Sequence, residues 1–300
     1  MTLRLGVDLG GTKTEIVAMR QNSQEVLLRR RISTIRSYEG VIRGIKELVD
    51  GAEAELGEKG TVGVGIPGAI SPATGLVKNA NSTWLIGHAL DKDLEQALSR
   101  PVRVKNDADC LALSEATDGA GAGYDTVWAV ILGTGSGSGI VVRKRLVEGP
   151  NAIAGEWAHN PLPYLTPEEK AENPCYCGKS GCIEKMVSGT GLMKDYERET
   201  GLVKTGAEID EAAKNGEEAA ERVLRRYEDR LARATAGVIN ILDPHIVVLG
   251  GGVSNIDRLY ASLPELWKKY VFSDTVRTKL AKAKYGDSSG VRGAAWLWND

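Results

Sequence analysis

Two related α/β lobes are the architecture this sequence predicts, and three observations carry the expectation. Short apolar strands alternate with stretches of helical periodicity, the grammar of sheets covered by helices. A strand, a Gly/Thr turn and a returning strand occur twice, at DLGGTKTE (8–15) and at LGTGSGSG (132–139), so the pattern restarts partway along the chain. Finally, 300 residues, 42% of them hydrophobic and 26% charged, can bury a sizeable core and fit two domains better than one.

Taken in order, LRLGVDL opens as an apolar strand, GGTKTE turns, and EIVAMR resumes the alternation of a second strand. A strand from Val26 to Ile32, a helix from Tyr38 to Leu56 and a strand at TVGVGIP follow. Asp91 to Leu98 predicts a helix, PVRVKND a strand, and ADCLALSEATDGA an apolar-faced helix running out into Gly119, Gly121 and Gly123. DTVWAVIL restarts the pattern, with GTGSGSG as a turn and IVVRKRLVEG as a further strand or hairpin. Beyond the cysteine-rich segment NPCYCGKSGCIE, helices are expected from Gly189 and from Glu217 to Ile241, then a strand at HIVVLGGGV and a closing helix near Gly290 to Trp298. No low-complexity linker separates the lobes, so only the glycines of 119–124 suggest a boundary.

The formal charge of -2 and the lack of a basic tract argue against nucleic acid or an anionic membrane as partner, which leaves a small molecule. MTLRLGVDLGG lacks the layout of a secretory signal, and the longest apolar run, Val127 to Leu132, is too short to span a bilayer. A cytoplasmic setting is expected, where clustered cysteines are metal ligands or redox groups sooner than disulfides.

Backbone N–H groups of a glycine-rich turn can converge on phosphate oxygens, because glycine reaches φ > 0 and puts no side chain in the way. Gly10, Gly11, Thr12 and Lys13 form one such turn and Thr134 and Gly135 belong to a second, with Gly250, Gly251 and Gly252 as a third glycine stretch. Asp8 has the chemistry to hold Mg²⁺ through water. Each turn alone also fits an unliganded hairpin. GVGIPG (63–68) matches G-x-G-x-x-G but holds Pro67 and opens no helix, so a dinucleotide is not expected. The pattern G-x-x-x-x-G-K-[ST] is absent.

Asn106 and Asp107 fall at a strand-to-helix junction, where a carboxylate can take a proton from a hydroxyl; Asp107 equally fits a plain helix N-cap. In GEWAH, Glu156 and His159 are three apart and would share a face on a helical turn. His159, Cys175, Cys177 and Cys182 make a tetrahedral Zn²⁺ set whose four protein ligands imply structure rather than metal catalysis. A redox pair is the competing reading and fits three thiols plus an imidazole less well. Glu184 follows the last of these cysteines by two, and Cys110, on an apolar helix face, reads as core.

DLGGTKTE, NDAD, LGTGSGSG, GEWAH, CYCGKSGCIE and VLGGG, in this order across nearly the whole chain, resemble the ROK family of sugar kinases. KNANSTW, HNPLPY and YGDSSGVRGAAWLWN look most like its bacterial fructokinase/mannokinase branch. The resemblance implies a two-lobed actin/hexokinase-type (ribonuclease H-like) α/β fold with a zinc-bound loop in the second lobe, ATP as phosphoryl donor, Mg²⁺, a hexose between the lobes, and a homodimer. The lobes it implies are residues 1–118, joined by the terminal helix 289–300, and residues 119–288, with a zinc-binding insertion at 156–184. Fructose or mannose is the expected acceptor; an N-acetylhexosamine or glucose kinase of the same family is the alternative.

By position, the resemblance makes Asp107 the catalytic base and puts Asn81, Asn106, Glu156, His159 and Glu184 on sugar hydroxyls. It places Gly10 to Lys13, with Thr134 and Gly135, on phosphates, and Gly250 to Gly252 on the nucleoside. It also makes His159, Cys175, Cys177 and Cys182 the zinc ligands. The family usually has glycine before this histidine and here the residue is Ala158, which leaves sugar preference open. The family's repressors carry a DNA-binding domain before the first turn, whereas this sequence starts directly with that turn. A rival from another class, a sugar sensor without turnover, would be marked by a lost base, and Asp107 is present.

Overall fold

The computed structural model describes residues 3–21 and 23–298, so of the expected lobe bounds 1–118 and 289–300 the outermost residues, 1–2 and 299–300, lie outside it. In chain order the strands are β1 (Leu3–Leu9), β2 (Lys13–Arg20), β3 (Val26–Ser33), β4 (Gly60–Ile66), β5 (Ala69–Ile70), β6 (Val77–Lys78), β7 (Val102–Asn106), β8 (Thr126–Leu132), β9 (Ser136–Val142), β10 (Arg145–Leu146), β11 (Ile246–Gly250) and β12 (Lys279–Lys282). The helices are α1 (Tyr38–Leu56), α2 (Leu90–Leu98), α3 (Asp107–Thr117), α4 (Pro167–Glu172), α5 (Glu184–Val187), α6 (Gly189–Thr200), α7 (Gly206–Lys214), α8 (Glu218–Leu242), α9 (Leu259–Tyr270) and α10 (Ser289–Trp296).

The chain forms two compact units: Met1–Gly123 with Gly139–Ala154 and Asp287–Asp300, and Tyr124–Ser138 with Gly155–Gly286. The division differs from the expected 118/119 break, and it takes residues 139–154 into the first unit. The reason is local, because Gly139 lies so close to α3 that a Cβ there would sit 2.6 Å from the carbonyl oxygen of Ala108.

The first unit is built on a sheet of order β3-β2-β1-β4-β7, in which β1, β4 and β7 are parallel and β2 pairs antiparallel with both β1 and β3. Both faces of β1 are covered, which is why it reads as a nearly unbroken apolar run. One core holds Leu5, Val7, Ile45, Val49, Val62 and Leu94. A second gathers Val17, Met19, Cys110, Leu113, Val291 and Ala295, confirming Cys110 as core. Gly6 and Gly63 let α10 rest backbone-on-backbone against β1 and β4, since a Cβ at either position would overlap a carbonyl oxygen of that helix. Gly63 and Gly68 of GVGIPG are therefore packing residues: a Cβ on Gly68 (φ +96°) would meet the Lys78 carbonyl oxygen at 2.6 Å.

The second sheet has the order β10-β9-β8-β11-β12, with β8, β11 and β12 parallel, and the division between units falls within β9. GTGSGSG is a turn only at Gly133–Gly135, because Ser136 already begins β9. In the second unit α8 buries Leu224, Tyr227 and Leu231, and its Thr235 accepts the Trp267 indole N–H at 2.8 Å. Helices α4, α7 and α9, together with β12, were not read from the sequence. No helix among the described residues is long and apolar enough to cross a membrane.

Candidate functional site

In the first unit the parallel strands align Asp8 with Gly65, and Gly65 with Lys105, so Asp8 and Asp107 arrive at the same carboxyl edge of the sheet. Ligands of open α/β sheets gather at that edge. The Asp8 carboxyl is pushed up to about 7, first by burial and then by the negative charges of Asp107 and Glu15, with Arg31 opposing. A divalent cation would relieve this excess of negative charge, so the donor set fits Mg²⁺.

The Asp107 position is built by its neighbour. Asn106, not Asp107, is the N-cap of α3: its side-chain oxygen accepts the Ala108 N–H at 2.9 Å, and its amide donates to the Gly68 carbonyl at 3.1 Å. Asp107 is the first helical residue and also accepts from the Ala108 N–H, at 2.8 Å. The helix-start field that favours an ionised carboxylate therefore acts on it, while the capping role falls elsewhere.

Above Asp8 the turn Gly10–Lys13 closes with the Gly10 N–H on the Lys13 carbonyl at 3.0 Å. A Cβ on Gly10 would sit 2.8 Å from that same oxygen. Thr34 of the neighbouring chain segment braces the turn twice, its N–H donating to Thr12 O at 3.0 Å and its hydroxyl to Gly10 O at 2.8 Å. Gly11, Thr12 and Lys13 are left exposed. Asn81 is also exposed, in a loop whose Ser82 hydroxyl lies 3.7 Å from where a Gly11 Cβ would be.

In the second unit the turn Gly133–Gly135 carries an exposed Thr134 and is assembled from remote pieces. Gly189 donates its N–H to the Gly133 carbonyl at 2.7 Å. Gly251, at φ +79°, lies so near that a Cβ would be 2.6 Å from Leu132 O, while Gly252 has open space beside it. Glu184 reaches the same turn: its carboxylate accepts the Ser136 N–H at 3.2 Å, and a Cβ on Gly135 would sit 2.8 Å from it.

The cysteine segment is joined to GEWAHNPLP by an antiparallel ladder, with Glu184 N–H on Ala158 O (2.9 Å), Ile183 on Asn160 (3.0 Å) and Leu162 on Gly181 (3.0 Å). Glu156 and His159 do not lie on a helix, because residues 151–160 form a chain of turns. Trp157 explains why: it is buried edge-on against Trp128 of β8, with centroids 5.1 Å apart, and this pins the segment down. Ala158 is 1% exposed, so its methyl is packed inside rather than offered to a ligand.

The ladder and the tight turns at Gly178 and Gly181 bring the donor atoms of His159, Cys175, Cys177 and Cys182 within 4.8 Å of one another. His159 Nδ1 is 3.6 Å from Cys175 Sγ, and the Sγ atoms of Cys177 and Cys182 are 3.6 Å apart, with no disulfide among them. A tetrahedral zinc site with bonds of about 2.3 Å has edges of about 3.7 Å, so the set fits that ion. The Cys177 thiol is lowered by the Lys179 backbone N–H, whereas burial and the neighbouring thiols push Cys182 up.

The other ring nitrogen of His159 meets the Tyr176 hydroxyl at 2.8 Å, a partner that sequence reasoning missed although Tyr176 stands inside CYCG. Desolvation, then the charges of Glu184, Cys175 and Glu156, push that phenol up to about 12, which puts Tyr176 among the same carboxylates. Thr34, Gly189 and Trp157 were missed as well, each acting through folded neighbours rather than through any motif.

Comparison with known proteins gives the family and the fold. The model of the ROK family matches residues 4–300. The N-acetyl-D-glucosamine kinase of Pectobacterium carotovorum is 38% identical over 296 residues, covering 97% of each chain. A ROK hexokinase from Thermus thermophilus superposes with a TM-score of 0.86 at 28% identity, covering 98% of this chain and 96% of that one. A ROK family glucokinase from Streptomyces griseus, solved with glucose and AMPPNP, gives 0.78 at 26% identity and covers 98% of both chains. The two-sheet α/β architecture is thus the actin/hexokinase-type fold of ROK sugar kinases.

Proposed function

The chain belongs to the ROK family of sugar kinases, and on that premise we propose that it transfers the γ-phosphate of ATP to the 6-hydroxyl of a hexose, with N-acetylglucosamine as first-ranked acceptor. The observation that carries the chemistry is Asp107, set at the carboxyl edge of β7 by the cap on Asn106 and sharing its electrostatic field with Asp8. Asp107 accepts the hydroxyl proton as the oxygen attacks the γ-phosphorus, and positioning and charge neutralisation supply most of the rate. Lys13 and the exposed hydroxyls of Thr12 and Thr134 serve the phosphates, with Gly250 to Gly252 beside the nucleoside. Asp8 would hold Mg²⁺, which when bound neutralises phosphate charge.

In this reading Asn81, Asn106, Glu156, His159 and Glu184 hydrogen-bond the sugar. Tyr176, on the outward nitrogen of His159, yields that nitrogen to the sugar or takes part in holding it. The cysteine cluster holds Zn²⁺ for structure, in a cytoplasmic setting that keeps thiols reduced. A homodimer goes with this reading, to be checked by light scattering.

The ranking of acceptors follows the curated relatives, which favour N-acetylglucosamine over the fructose or mannose expected from sequence. The second reading, fructose or mannose, rests on KNANSTW, HNPLPY and YGDSSGVRGAAWLWN, which resemble the fructokinase/mannokinase branch. ADP release measured with N-acetylglucosamine, glucose, mannose and fructose separates the two. The highest kcat/KM belongs to N-acetylglucosamine on the first reading and to fructose or mannose on the second. Sugar binding without ADP release from any of the four would leave the sensor.

A further inference from the structure

Helix α8 buries three polar side chains, Tyr227, Arg230 and Arg233, whose i, i+3, i+6 spacing puts them on one face. Each holds a different remote piece of the second unit. The Tyr227 hydroxyl donates to the Val187 carbonyl at 2.6 Å, at the end of α5 and two residues before Gly189. Arg233 donates to the carbonyls of Pro163 (3.2 Å) and Tyr164 (3.0 Å), and to both carboxylate oxygens of Glu169 in α4, at 2.7 and 3.1 Å.

Arg230, between them, spans two elements. Its Nε donates to Glu169 Oε1 at 2.8 Å and its Nη1 to Asp195 Oδ2 of α6 at 2.9 Å, and all three residues are buried. Burial by itself would raise the Glu169 carboxyl, but the hydrogen bonds from Arg233 and Arg230 outweigh it and bring it down to about 2, so Glu169 is a carboxylate. Each of the two acids leads to a part of the proposed site. The Glu169 carbonyl accepts the buried Asn173 amide at 2.8 Å, and the Asn173 carbonyl accepts the Gly181 N–H at 2.9 Å, inside the cysteine segment and beside the ladder that joins it to GEWAH. From Asp195, α6 runs back to Gly189, whose N–H holds the Gly133 carbonyl of the second turn. One guanidinium therefore stands between the loop given to the sugar and the turn given to phosphate.

Charge balance alone does not demand this arginine. Without it Glu169 keeps Arg233, and Asp195 keeps Arg226 at 3.2 Å and Arg198 at 3.1 Å. A buried ion pair also adds little net stability once desolvation is counted, and often does no better than an apolar residue of similar size. Arg233 serves the α4 side and Arg226 the α6 side, whereas Arg230 reaches both, which takes the spread donors of a planar fork.

We propose that Arg230 is a positioning residue for phosphoryl transfer, a role that rests on the function proposed above. It fixes the cysteine loop and α6 to one point of α8, and so sets the sugar-binding groups of the second unit, Glu156, His159 and Glu184, against the phosphate turn of the same unit. Arg230 touches neither substrate; it acts through Glu169 and Asp195.

Amide hydrogen exchange in the full chain tests this without turnover, on peptides covering the ladder and Gly189. Arg230→Met should keep the fold, because both carboxylates retain partners, yet lose about tenfold or more in protection at the ladder and at Gly189 together. Arg230→Lys keeps the charge without the fork and should follow the methionine variant; if that variant fails to fold, the lysine variant carries the test. Arg222→Met is the control, since Arg222 lies on the same helix but pairs with Glu199 and Glu218 at the surface, and it should match the wild type. In steady state Arg230→Met should raise the KM of the acceptor sugar and of ATP about tenfold, with kcat changed less than about threefold, a split that a loss of stability alone would not produce. Unchanged protection at either the ladder or Gly189, a loss spread evenly over the second unit, or wild-type KM values in a folded variant would each overturn the proposal. Absence of turnover in the wild-type chain would overturn the kinase reading alone, and the exchange pattern would still decide whether Arg230 couples loop and turn.

Discussion

The turns Gly10–Lys13 and Gly133–Gly135 look alike in sequence but are held in opposite ways. The first is braced from its own sheet, by one threonine two strands away. The second depends on Gly189, Gly251 and Glu184, which lie 48 or more residues further along the chain. A turn braced locally keeps its shape when distant parts of its unit are disturbed. A turn assembled from remote pieces inherits every disturbance of those pieces, and one of them is the cysteine loop. An account in which zinc serves the sugar side alone is therefore incomplete, because Glu184 carries the loop's position into the second turn.

The largest effect expected from this contrast follows Gly251→Ala. It places a methyl in the left-handed region and against Leu132 O, at about 2–4 kcal/mol, and should raise the KM for ATP at least tenfold or prevent folding, as denaturant titration and nucleotide kinetics would show. Next comes Glu184→Ala, which removes a charged acceptor and should weaken sugar and ATP together by about 10- to 100-fold. Glu184→Gln sharpens this, because an amide oxygen can still accept the Ser136 N–H: ATP affinity should recover more than sugar affinity. Equal losses in both variants for both ligands would break the link between loop and turn.

Zinc removal by a chelator, or Cys177→Ser, should come third. It should release the ladder between Ala158 and Glu184, lower Tm, and raise the KM of sugar and, less steeply, of ATP. Metal analysis finding no zinc in the purified protein would remove the basis of this prediction. The smallest effect belongs to the locally braced turn. Thr34→Val deletes two hydroxyl hydrogen bonds, one to Gly10 O and one with the Thr14 hydroxyl, about 2 kcal/mol together, and should raise the KM for ATP only a few-fold without changing the KM for sugar.

The same contrast explains what was legible in the sequence. Elements whose signals are local were readable: α1 is bounded by Ser37 accepting the Gly40 N–H and by Gly57 at φ +68°, and its span matches the expected Tyr38 to Leu56. The four zinc-type donors were readable because residue type and spacing carry that chemistry, and the structure brings them together. The assignment of Asp107 as a possible cap failed by one residue, since the rule that names cap residues does not choose between Asn106 and Asp107. The GEWAH segment failed because an i, i+3 spacing is necessary for a shared helical face but not sufficient, and Trp157 finds Trp128 only after folding. Helix α9 escaped notice partly because Pro264 lies inside it, and proline usually marks an end. Tyr176 could have been suspected from its place between two cysteines, but its approach to His159 is a tertiary fact.

The most direct test of the central claim, that this chain is a sugar kinase using Asp107 as its base, is the turnover of Asp107→Asn against the wild-type protein. ADP release is followed at saturating ATP over a range of the best acceptor sugar. The account predicts that kcat falls by about 10² to 10⁴ while sugar KM moves only a few-fold, because the amide keeps the size and the hydrogen-bonding reach of the carboxylate but not its basicity. Turnover within a few-fold of the wild-type value, with sugar affinity intact, would contradict it.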